Sequence, residues 1–451
     1  MRNFKFKFIS KLIIPMLNRL FGGEFRNSHV LQTQTITKSN IFGKNSDFDV
    51  NAFYKLWSEA FKQDGLGYFA EACKLRIEVL SRISDIQFAD FNFEKNRSPN
   101  FMSHGWVHAI GHLGHLGAFR IAQQINLIEN NPRQILVKTK EDTTNLKMLF
   151  GKHFQPLPFK YGISLFENPV NWHNLEHMLM LRTKSGFMSL YELTDLAFGH
   201  QDYDSKIHKL NLDENYVNLA QKLLLQRGVP ASSWFVALHI REKSNKLDAR
   251  QASVNSFIPA IKEITKRGGW VIRFGTDNMT PLPDLPNLID LYVNSPENRL
   301  MHYFLLAKAK FLLGNLSGPM EVAKAFGTPV LTTNMIGIGK AMLTAPNGSL
   351  LLPKQWIKNG KRVSYEKLIC SPEGFSQMNL KHRSKLGYQL LENSETEIMD
   401  AVVDFFDQNF HKVDEETIKL DDLRKHHRVI ANGRIAPSYL KENRNWFLKT
   451  D

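Results

Sequence analysis

The sequence is poor in the residues that build metal centres and disulfide frameworks. Its 451 residues include two cysteines, Cys73 and Cys370, which lie far apart along the chain. Two distant cysteines form no metal-binding or redox motif, so we expect free thiols in a reducing compartment. Acidic residues number 44 against 58 lysines and arginines, which gives a formal charge of +14. This imbalance favours anionic partners such as nucleotide phosphates, acidic lipid or nucleic acid.

Long apolar runs are also missing. No stretch of about twenty apolar residues occurs, so the sequence predicts no membrane-spanning helix. Residues 1–24 instead interleave basic and apolar side chains, with no acid before Glu24. This pattern predicts a basic amphipathic helix on an anionic membrane surface. Two alternative interpretations are a flexible basic tail and a helix that packs on the rest of the protein. A signal peptide fits poorly, because the apolar stretch is short and interrupted.

Residues 25–95 are predicted to form a linker and a helical hairpin. Polar residues dominate positions 25–45, as in a linker. Apolar residues then follow helical spacing from about residue 49 to 86, with a break at Asp64-Gly65. The pair of helices resembles one tetratricopeptide unit, but no second copy follows, and stacked repeats need neighbours to bury their faces. We therefore expect a single hairpin that packs on the rest of the chain.

Strand-like and helical segments alternate through most of the remaining sequence. Residues 96–226 are predicted to open with a strand at 106–110, a glycine loop at 111–117 and a helix, as in a Rossmann-like domain. Residues 227–418 contain short apolar runs alternating with amphipathic helices, which predicts a parallel sheet covered on both faces. Residues 419–451 are basic and polar with little periodicity, and they are predicted to form a tail, in which Trp446, Phe447 and Leu448 could pack on the body.

The segment 311–334 predicts a strand, a tight turn, a helix and a second strand. The helix follows Ser317-Gly318, with Gly318 expected at the N-cap and Pro319 at the first helical position. Its N-terminus offers unpaired N–H groups and a positive macrodipole end to an anion, and Gly318 has no side chain to block approach. Glu321, one turn later, can accept hydrogen bonds from a diol. Phosphate plus diol is the polar half of a nucleotide; simple capping by Ser317 and Glu321 is the alternative.

Two other predicted strand ends carry polar residues. His239 and Arg241 follow the strand at 234–240, and Gly275 and Asp277 follow the next strand. Ligands of open parallel sheets bind beyond the carboxyl ends of the strands, so these residues are expected to meet the Ser317 turn. Arg241 suits a bidentate contact with phosphate oxygens, and Asp277 can accept from a base or sugar hydroxyl.

Structural roles for the same side chains stay open. They are an ion pair of Arg241 with Glu242 or Asp248, a turn cap for Asp277 and a core position for His239.

The turn and helix together resemble the nucleotide-sugar site of GT-B glycosyltransferases. The matching positions are Asn315, Ser317, Gly318 and Glu321. In that family a Ser/Gly-rich turn meets the diphosphate, and a glutamate in the next helix binds the ribose. The pattern is also similar to the non-hydrolysing UDP-N-acetylglucosamine 2-epimerases, which share the fold. The resemblance implies an α/β protein with two Rossmann-like domains facing a cleft.

The His-x-Arg pattern of His239 and Arg241 adds to this resemblance. Fucosyltransferases and their GT-B-like relatives carry such a motif, in which the arginine binds the diphosphate. The acid that often follows is displaced here, because Glu242 is adjacent and Asp248 lies further on. The whole chain is similar to a family of bacterial glycosyltransferases that are often fused to helical repeats. The resemblance implies hexosyl or fucosyl transfer and does not identify the sugar.

His112 and His115 are the candidates for a catalytic base. In inverting GT-B enzymes the loop after the first strand often supplies this group, and imidazole titrates near neutral pH. His115 is favoured because it lies closer to the expected helix start. Loop packing or a stray metal site are the alternatives, although two histidines three residues apart without a nearby carboxylate do not define zinc. We therefore expect neither a metal nor a cofactor.

Together these features predict a metal-independent glycosyltransferase. Its donor would be a nucleotide-diphosphate sugar, and its acceptor a glycan or lipid-linked molecule of surface polysaccharide synthesis at the cytoplasmic membrane face. One alternative is a nucleotide-sugar 2-epimerase. Another is a helical-repeat scaffold or nucleic-acid-binding protein, but the charge is spread out and no aromatic-basic recognition motif occurs.

Overall fold

The computed structural model describes the following residues: 59, 101–102, 105–108, 110–128, 130, 133–137, 139–158, 181–183, 186–188, 190–200, 210–242, 248–275, 279–292, 296–336, 344–369, 384, 387–407, 414–427 and 433–448. The predictions for the basic segment at 1–24 and for the linker and helical hairpin at 25–95 lie outside these ranges, apart from Glu59. Both cysteines also lie outside them.

The first half of the described chain forms a small α/β unit. Its elements are β1 (Phe101–Met102), α1 (Gly105–His108), α2 (Ile110–Gln124), β2 (Arg133–Val137), α3 (Lys140–Phe150), β3 (Phe154–Pro158), β4 (Leu181–Thr183), β5 (Gly186–Met188), α4 (Leu190–Phe198) and α5 (Glu214–Gln226). β1, β2 and β3 pair in parallel, whereas β4 and β5 pair antiparallel. A capping box between Thr139 and Asp142 begins α3.

The predicted strand at 106–110 and glycine loop at 111–117 are wrong. The described residues of these segments, 106–108 and 110–117, belong to α1 and α2, and α2 runs through all three glycines. Glycine has a low helix propensity, so a segment with three glycines favours a loop interpretation. Tertiary packing overrides that preference here, because α2 buries eleven consecutive residues from Leu113 to Gln123.

The second half forms the main sheet. Its elements are β6 (Phe235–His239), α6 (Ile258–Lys266), β7 (Trp270–Gly275), β8 (Leu288–Tyr292), α7 (Pro296–Lys308), β9 (Leu312–Asn315), α8 (Gly318–Phe326), β10 (Val330–Met335), β11 (Leu350–Pro353), β12 (Gln355–Lys358), β13 (Lys361–Arg362), α9 (Tyr365–Ile369), β14 (Tyr388–Leu391), α10 (Glu395–Phe406), α11 (Glu415–His426), β15 (Arg434–Ile435), α12 (Pro437–Glu442) and α13 (Arg444–Phe447). A short 3₁₀ turn, Asn255–Phe257, precedes α6.

Seven parallel strands make up this sheet, in the order β15-β11-β10-β9-β6-β7-β8. Side chains alternate between its faces: Phe235 and Ala237 enter one core, and Val236 and Leu238 enter the other. The first core also contains α2, α5, α7 and α8, so the small unit and the main sheet share it. The predicted α/β architecture with a parallel sheet covered on both faces is confirmed.

The segment 419–451 is not a free tail. β15 pairs in parallel with β11, and Trp446 and Phe447 are 2% and 0% exposed in the second core. Helices of four to six residues span less than two turns, so they leave too little periodicity in the sequence to be recognised.

Among the described residues, no helix combines the length and the apolar character that crossing a bilayer requires.

Candidate functional site

Helices α2 and α8 meet through glycine. Each glycine of α2 lies so close to α8 that a Cβ atom would overlap it, at 2.8 Å from Gly318 Cα, 2.4 Å from the Glu321 carbonyl carbon and 2.4 Å from Ala325 Cβ. The pairs are Gly111 with Gly318, Gly114 with Glu321 and Gly117 with Ala325. Because the residue numbers rise together, the two helices are parallel, and the pair of Gly111 and Gly318 marks one shared end of the contact.

That shared end lies at the carboxyl edge of the main sheet, because α8 directly follows β9. The positive macrodipole end of α8 therefore lies at this edge. An anion in front of such a helix start is favoured by the dipole and by the first backbone N–H groups. The arrangement favours an anionic ligand at this edge of the sheet.

The start of α8 differs in detail from the prediction. Ser317, not Gly318, is the N-cap, and its side chain makes no capping hydrogen bond. Pro319 has no N–H group, and the Met320 N–H donates to the Ser317 carbonyl at 3.0 Å. The first N–H groups of a helix have no intrahelical acceptor, so the Gly318 amide is the first-turn donor best placed for an anion. A Cβ atom at Gly318 would lie 2.7 Å from the Gly111 nitrogen, so this glycine admits α2 rather than a ligand.

Asn315 joins two strand ends. Its Oδ1 accepts from the Arg241 backbone N–H at 2.6 Å, and its Nδ2 donates to the carbonyls of Arg241 and Arg250 at 2.9 and 2.8 Å. The residue is fully buried. Because these bonds use both amide hydrogens and the oxygen, Asn315 positions the loop after β6 instead of reaching a ligand.

The loop that Asn315 holds carries two arginines around one acid. Arg241 Nη1 and Arg250 Nη2 lie 3.1 and 2.8 Å from Asp248 Oδ2. Burial alone would raise the pKa of Asp248, but the hydrogen bonds and charge of Arg250 and the charge of Arg241 hold it below its usual value. Two guanidinium groups therefore contact one carboxylate in this loop. The sequence suggested the Arg241–Asp248 pair but gave no signal for Arg250.

His239 lies at the end of β6 as a neutral ring. Its Nδ1 donates to the Phe274 carbonyl at 3.1 Å, which leaves the lone pair on Nε2. Burial lowers the pKa of His239 to about 4, opposed by that hydrogen bond and assisted by the charge of Arg241. The neighbouring Gly275 leaves room for Met279, whose sulfur would lie 2.5 Å from a Cβ atom there. Asp277 lies outside the described residues.

The depressed pKa of His239 predicts an acid-sensitive fold. Above the ordinary histidine pKa of 6.5, the ring is neutral in both the folded and the unfolded chain. As the pH falls towards about 4, the unfolded chain binds a proton that the buried ring does not bind, so the free energy of unfolding decreases. We expect this decrease to amount to about 3 kcal/mol. Urea unfolding of wild type and His239→Gln at pH 7 and pH 4.5 measures it: the wild type should lose more stability than the variant. Equal losses in both proteins would contradict the assignment.

The two candidate bases differ in accessibility. His115 is 8% exposed, and its Nδ1 donates to Thr194 Oγ1 at 2.9 Å, while that hydroxyl donates to the Leu190 carbonyl at 2.7 Å. Burial, together with the charges of His112 and Lys324, holds the pKa of His115 well below its ordinary value. His112 lies in the first turn of α2, is only partly buried, and has its ring centroid 5.3 Å from that of Trp106. The geometry therefore favours His112 over His115, which reverses the expected order.

Glu321 faces α2 from the first turn of α8. Its Oε1 accepts from Lys324 Nζ at 3.1 Å, and the two side chains are 13% and 2% exposed. Its Oε2 is buried and has no hydrogen-bond partner among the described residues. The sequence analysis missed Lys324, although a lysine flanked by apolar residues on both sides was a visible signal.

No cluster of histidine, cysteine and carboxylate side chains in the described part of the chain has the arrangement of a metal site.

Neither a scan against protein-family models nor a search of curated proteins finds a match. Among solved structures, E. coli ADP-heptose LPS heptosyltransferase II is similar at 10% identity, covering 67% of this chain and 97% of that chain, with a TM-score of 0.41. The iron-containing dodecameric glycosyltransferase TibC from enterotoxigenic E. coli is similar at 12% identity, covering 70% and 77%, with a TM-score of 0.40. TibC in complex with ADP-D-β-D-heptose aligns over 62% of this chain and 65% of that chain, at 12% identity and a TM-score of 0.35. These values assign neither a family nor an activity to this chain.

Proposed function

We propose that this chain is a glycosyltransferase of GT-B architecture that uses a nucleotide-diphosphate sugar as donor. The main sheet and its helices, residues 227–448, would bind the nucleotide. The small α/β unit would carry the acceptor side of the site. The acceptor would be a glycan or lipid-linked molecule of surface polysaccharide synthesis, reached at the cytoplasmic face of the membrane. The proposal includes no metal and no cofactor.

The observation that carries the proposal is the concentration of positive charge at one edge of the sheet. The N-terminus of α8 lies there, and the loop after β6 adds Arg241 and Arg250 around Asp248. Asn315 bonds that loop to β9, which leads into α8, so the two features are held together. Such a site suits a diphosphate, whose charge is spread over several oxygens.

The same positive charge suits the chemistry of glycosyl transfer. The acceptor oxygen would form a bond to the anomeric carbon of the sugar, and the bond from that carbon to the diphosphate would break. Arg241 and the amide of Gly318 would stabilise the charge that develops on the departing diphosphate. His112 would take the proton of the acceptor hydroxyl, a contribution typically worth about 10²–10⁴-fold in rate.

A thermal-shift screen tests the proposal. A ligand that binds only the folded chain raises its stability, by about 2.7 kcal/mol at a concentration of one hundred times Kd. We expect at least one of UDP, GDP, CMP and dTDP to raise the melting temperature, whereas the matching nucleosides, which lack phosphate, should have little effect. The nucleotide found in this way then identifies the sugar nucleotides for an assay with and without glycan acceptors.

Absence of a shift with every nucleotide would overturn the donor site. Conversion of a nucleotide sugar with no acceptor present would point to the 2-epimerase instead. Binding to nucleic acid with a steep salt dependence and no response to nucleotides would favour a nucleic-acid-binding protein.

A further inference from the structure

Positive charge is concentrated in one part of the second half of the chain. Between residues 354 and 391 the sequence has eight lysines and arginines against two acidic residues, which is six of the fourteen net charges of the chain. Four of these cations are described and have exposed side chains: Lys358, Lys361, Arg362 and Lys367. Three of the four lie in the hairpin of β12 and β13, so the charge is not spread evenly along the chain.

A two-residue turn presents these three cations at the tip of the hairpin. Asn359 and Gly360 form the turn with positive φ angles of 50° and 76°, as a type I′ turn requires. This turn type matches the twist of the flanking strands, so the tip has a defined shape. Lys358 and Lys361 flank the turn and lie directly opposite each other, and Arg362 follows.

No acid compensates these cations within the described residues. None of the three forms an ion pair with a described carboxylate. Lys358 Nζ lies 4.6 Å from the centroid of the Tyr388 ring and donates to the Tyr388 hydroxyl at 3.5 Å. Like charges directly opposite each other on a strand pair are destabilising. The stability of the hairpin therefore does not explain the two facing lysines.

Protection of a sheet edge explains only part of this arrangement. β13 is an edge strand of the three-stranded sheet β13-β12-β14, and charged residues on an edge discourage pairing with another chain. This role accounts for Lys361 and Arg362. Lys358 lies on the central strand β12, so edge protection does not account for it. An anionic partner at the tip would relieve the repulsion between the facing lysines.

The shape and composition of the tip favour a flat anionic surface. A hairpin tip is convex, whereas small ligands bind in concave sites. Single-stranded nucleic acid is bound through aromatic rings as well as positive charge. The aromatic residues of β12, β14 and the adjoining helix α9 are Trp356, Tyr388 and Tyr365, and they are only 0%, 7% and 0% exposed. A bilayer with acidic lipids requires neither a pocket nor stacking, because its surface potential attracts each exposed cation.

The base of the hairpin is joined to the edge of the main sheet that carries the proposed donor site. Only Lys354 separates the carboxyl end of β11 from the start of β12. Its Nζ donates to the Gln251 carbonyl at 2.8 Å, in the loop after β6 that also carries Arg241 and Arg250. A surface that binds the hairpin therefore lies near this edge of the sheet.

We propose that the hairpin of β12 and β13 docks the protein on an anionic membrane surface through Lys358, Lys361 and Arg362. This contact belongs to the second half of the chain and is separate from segment 1–24, for which the sequence predicts membrane binding. It goes beyond the proposed function, because it needs no bound nucleotide. It brings the donor site to the surface at which a lipid-linked acceptor lies.

Co-sedimentation of the full chain with vesicles tests this contact. The vesicles contain phosphatidylcholine alone or with about one third phosphatidylglycerol, at about 0.1 M and about 0.5 M salt. We expect the wild type to bind the acidic vesicles more strongly than the neutral ones, and less at the higher salt. The double variant Lys361→Gln/Arg362→Gln should lower the partition coefficient on acidic vesicles about tenfold or more, because each basic residue near such a surface contributes a factor of about five.

Lys262→Gln/Lys266→Gln is the matched control. Both lysines are exposed on α6, and the variant removes the same charge. α6 joins β6 to β7, and two strands of the main sheet separate β6 from β11. We expect the control to bind acidic vesicles within about twofold of wild type, as for charges that salt screens from the membrane. Melting temperatures without lipid check both folds, and Lys361→Gln alone replaces the hairpin variant if that protein does not fold.

The outcomes separate this inference from its alternatives. A wild type that binds neutral and acidic vesicles equally overturns it. So does a hairpin variant that binds acidic vesicles like the wild type, because the binding then belongs to another segment such as 1–24. Equal weakening by the control also overturns it, as a general charge effect. Tighter binding to duplex DNA than to acidic vesicles, lost in the hairpin variant, would assign the tip to nucleic acid instead. Because the nucleotide screen contains no lipid, its result and the vesicle result can fail separately.

Discussion

Arg241→Ala is expected to reduce the affinity for a nucleoside diphosphate by about 10²–10³-fold, because hydrogen bonds to charged groups contribute about 1.5–3 kcal/mol each and a guanidinium can make two. The side chain is 36% exposed, so its removal leaves no buried cavity. It also leaves Asp248 paired with Arg250, which limits the structural damage. Calorimetric titration of the nucleotide identified by thermal shift measures the loss.

Arg267→Ala controls for the loss of one positive charge. Arg267 is similarly exposed, at 31%, and pairs with Glu263 and Asp407. It follows the last residue of α6 and precedes β7, so it lies at the opposite, amino edge of the sheet. We expect its nucleotide affinity to stay within about twofold of wild type, as for a distant surface charge that salt screens. Wild-type affinity in Arg241→Ala would contradict the assigned anion site.

Gly114→Ala is expected to lower the free energy of unfolding by about 2 kcal/mol or more, although alanine has a helix propensity about 1 kcal/mol better than glycine. The new Cβ would lie 2.4 Å from the carbonyl carbon of Glu321 and 2.5 Å from its Cβ. Backbone atoms cannot turn aside, so α2 and α8 must move apart. Urea unfolding measures the change, and a stability equal to or above that of wild type would contradict the helix contact.

Gly117→Ala tests the same contact with a variant that can be rescued. Here the new Cβ would overlap the Cβ atom of Ala325, at 2.4 Å, and it would also approach Leu210 Cδ1 at 3.2 Å. We expect Gly117→Ala alone to destabilise the protein, and the double variant with Ala325→Gly to recover part of the loss. A cycle of the four proteins gives the coupling between the two positions, which we expect to exceed about 0.5 kcal/mol. Strictly additive changes would contradict direct contact.

Strands β6, β7, β9 and β10 of the main sheet were predicted from the sequence because they are buried on both faces, whereas β11 and β15 were not predicted. Phe235–His239 and the start of Val330–Met335 are short apolar runs near glycine or proline, as is typical of parallel strands. A glycine within an apolar run favours a strand end, but β9 continues through Gly314 to Asn315. A Cβ atom at Gly314 would lie 2.0 Å from the His239 carbonyl oxygen, so this glycine permits close strand pairing. The same residue type can end a strand or bring two strands together, and the sequence does not distinguish these uses.

The residues of the candidate site were partly predictable, but their partners were not. Arg241 and Ser317 were found because they follow apolar strands in the sequence. The bonds that join Arg241 to Asn315 span 74 residues, and no local pattern reports them. The glycines of α2 were noticed for the wrong reason, since their three-residue spacing describes a helix face and was read as a loop. A helix contact made by glycine becomes visible only when its partner is known.

The position of β15 has a consequence for how the protein is made. A ribosome releases the chain from its N-terminus, so β11 is synthesised more than eighty residues before the strand that covers its free edge. Until then its backbone groups are exposed to pairing with another chain, a known route to aggregation. A translation product that stopped near residue 430 would keep this edge open and would lack Trp446 and Phe447 in the core. Because β15 is the last strand of the sheet to be synthesised, we expect such a shortened product to depend on chaperones.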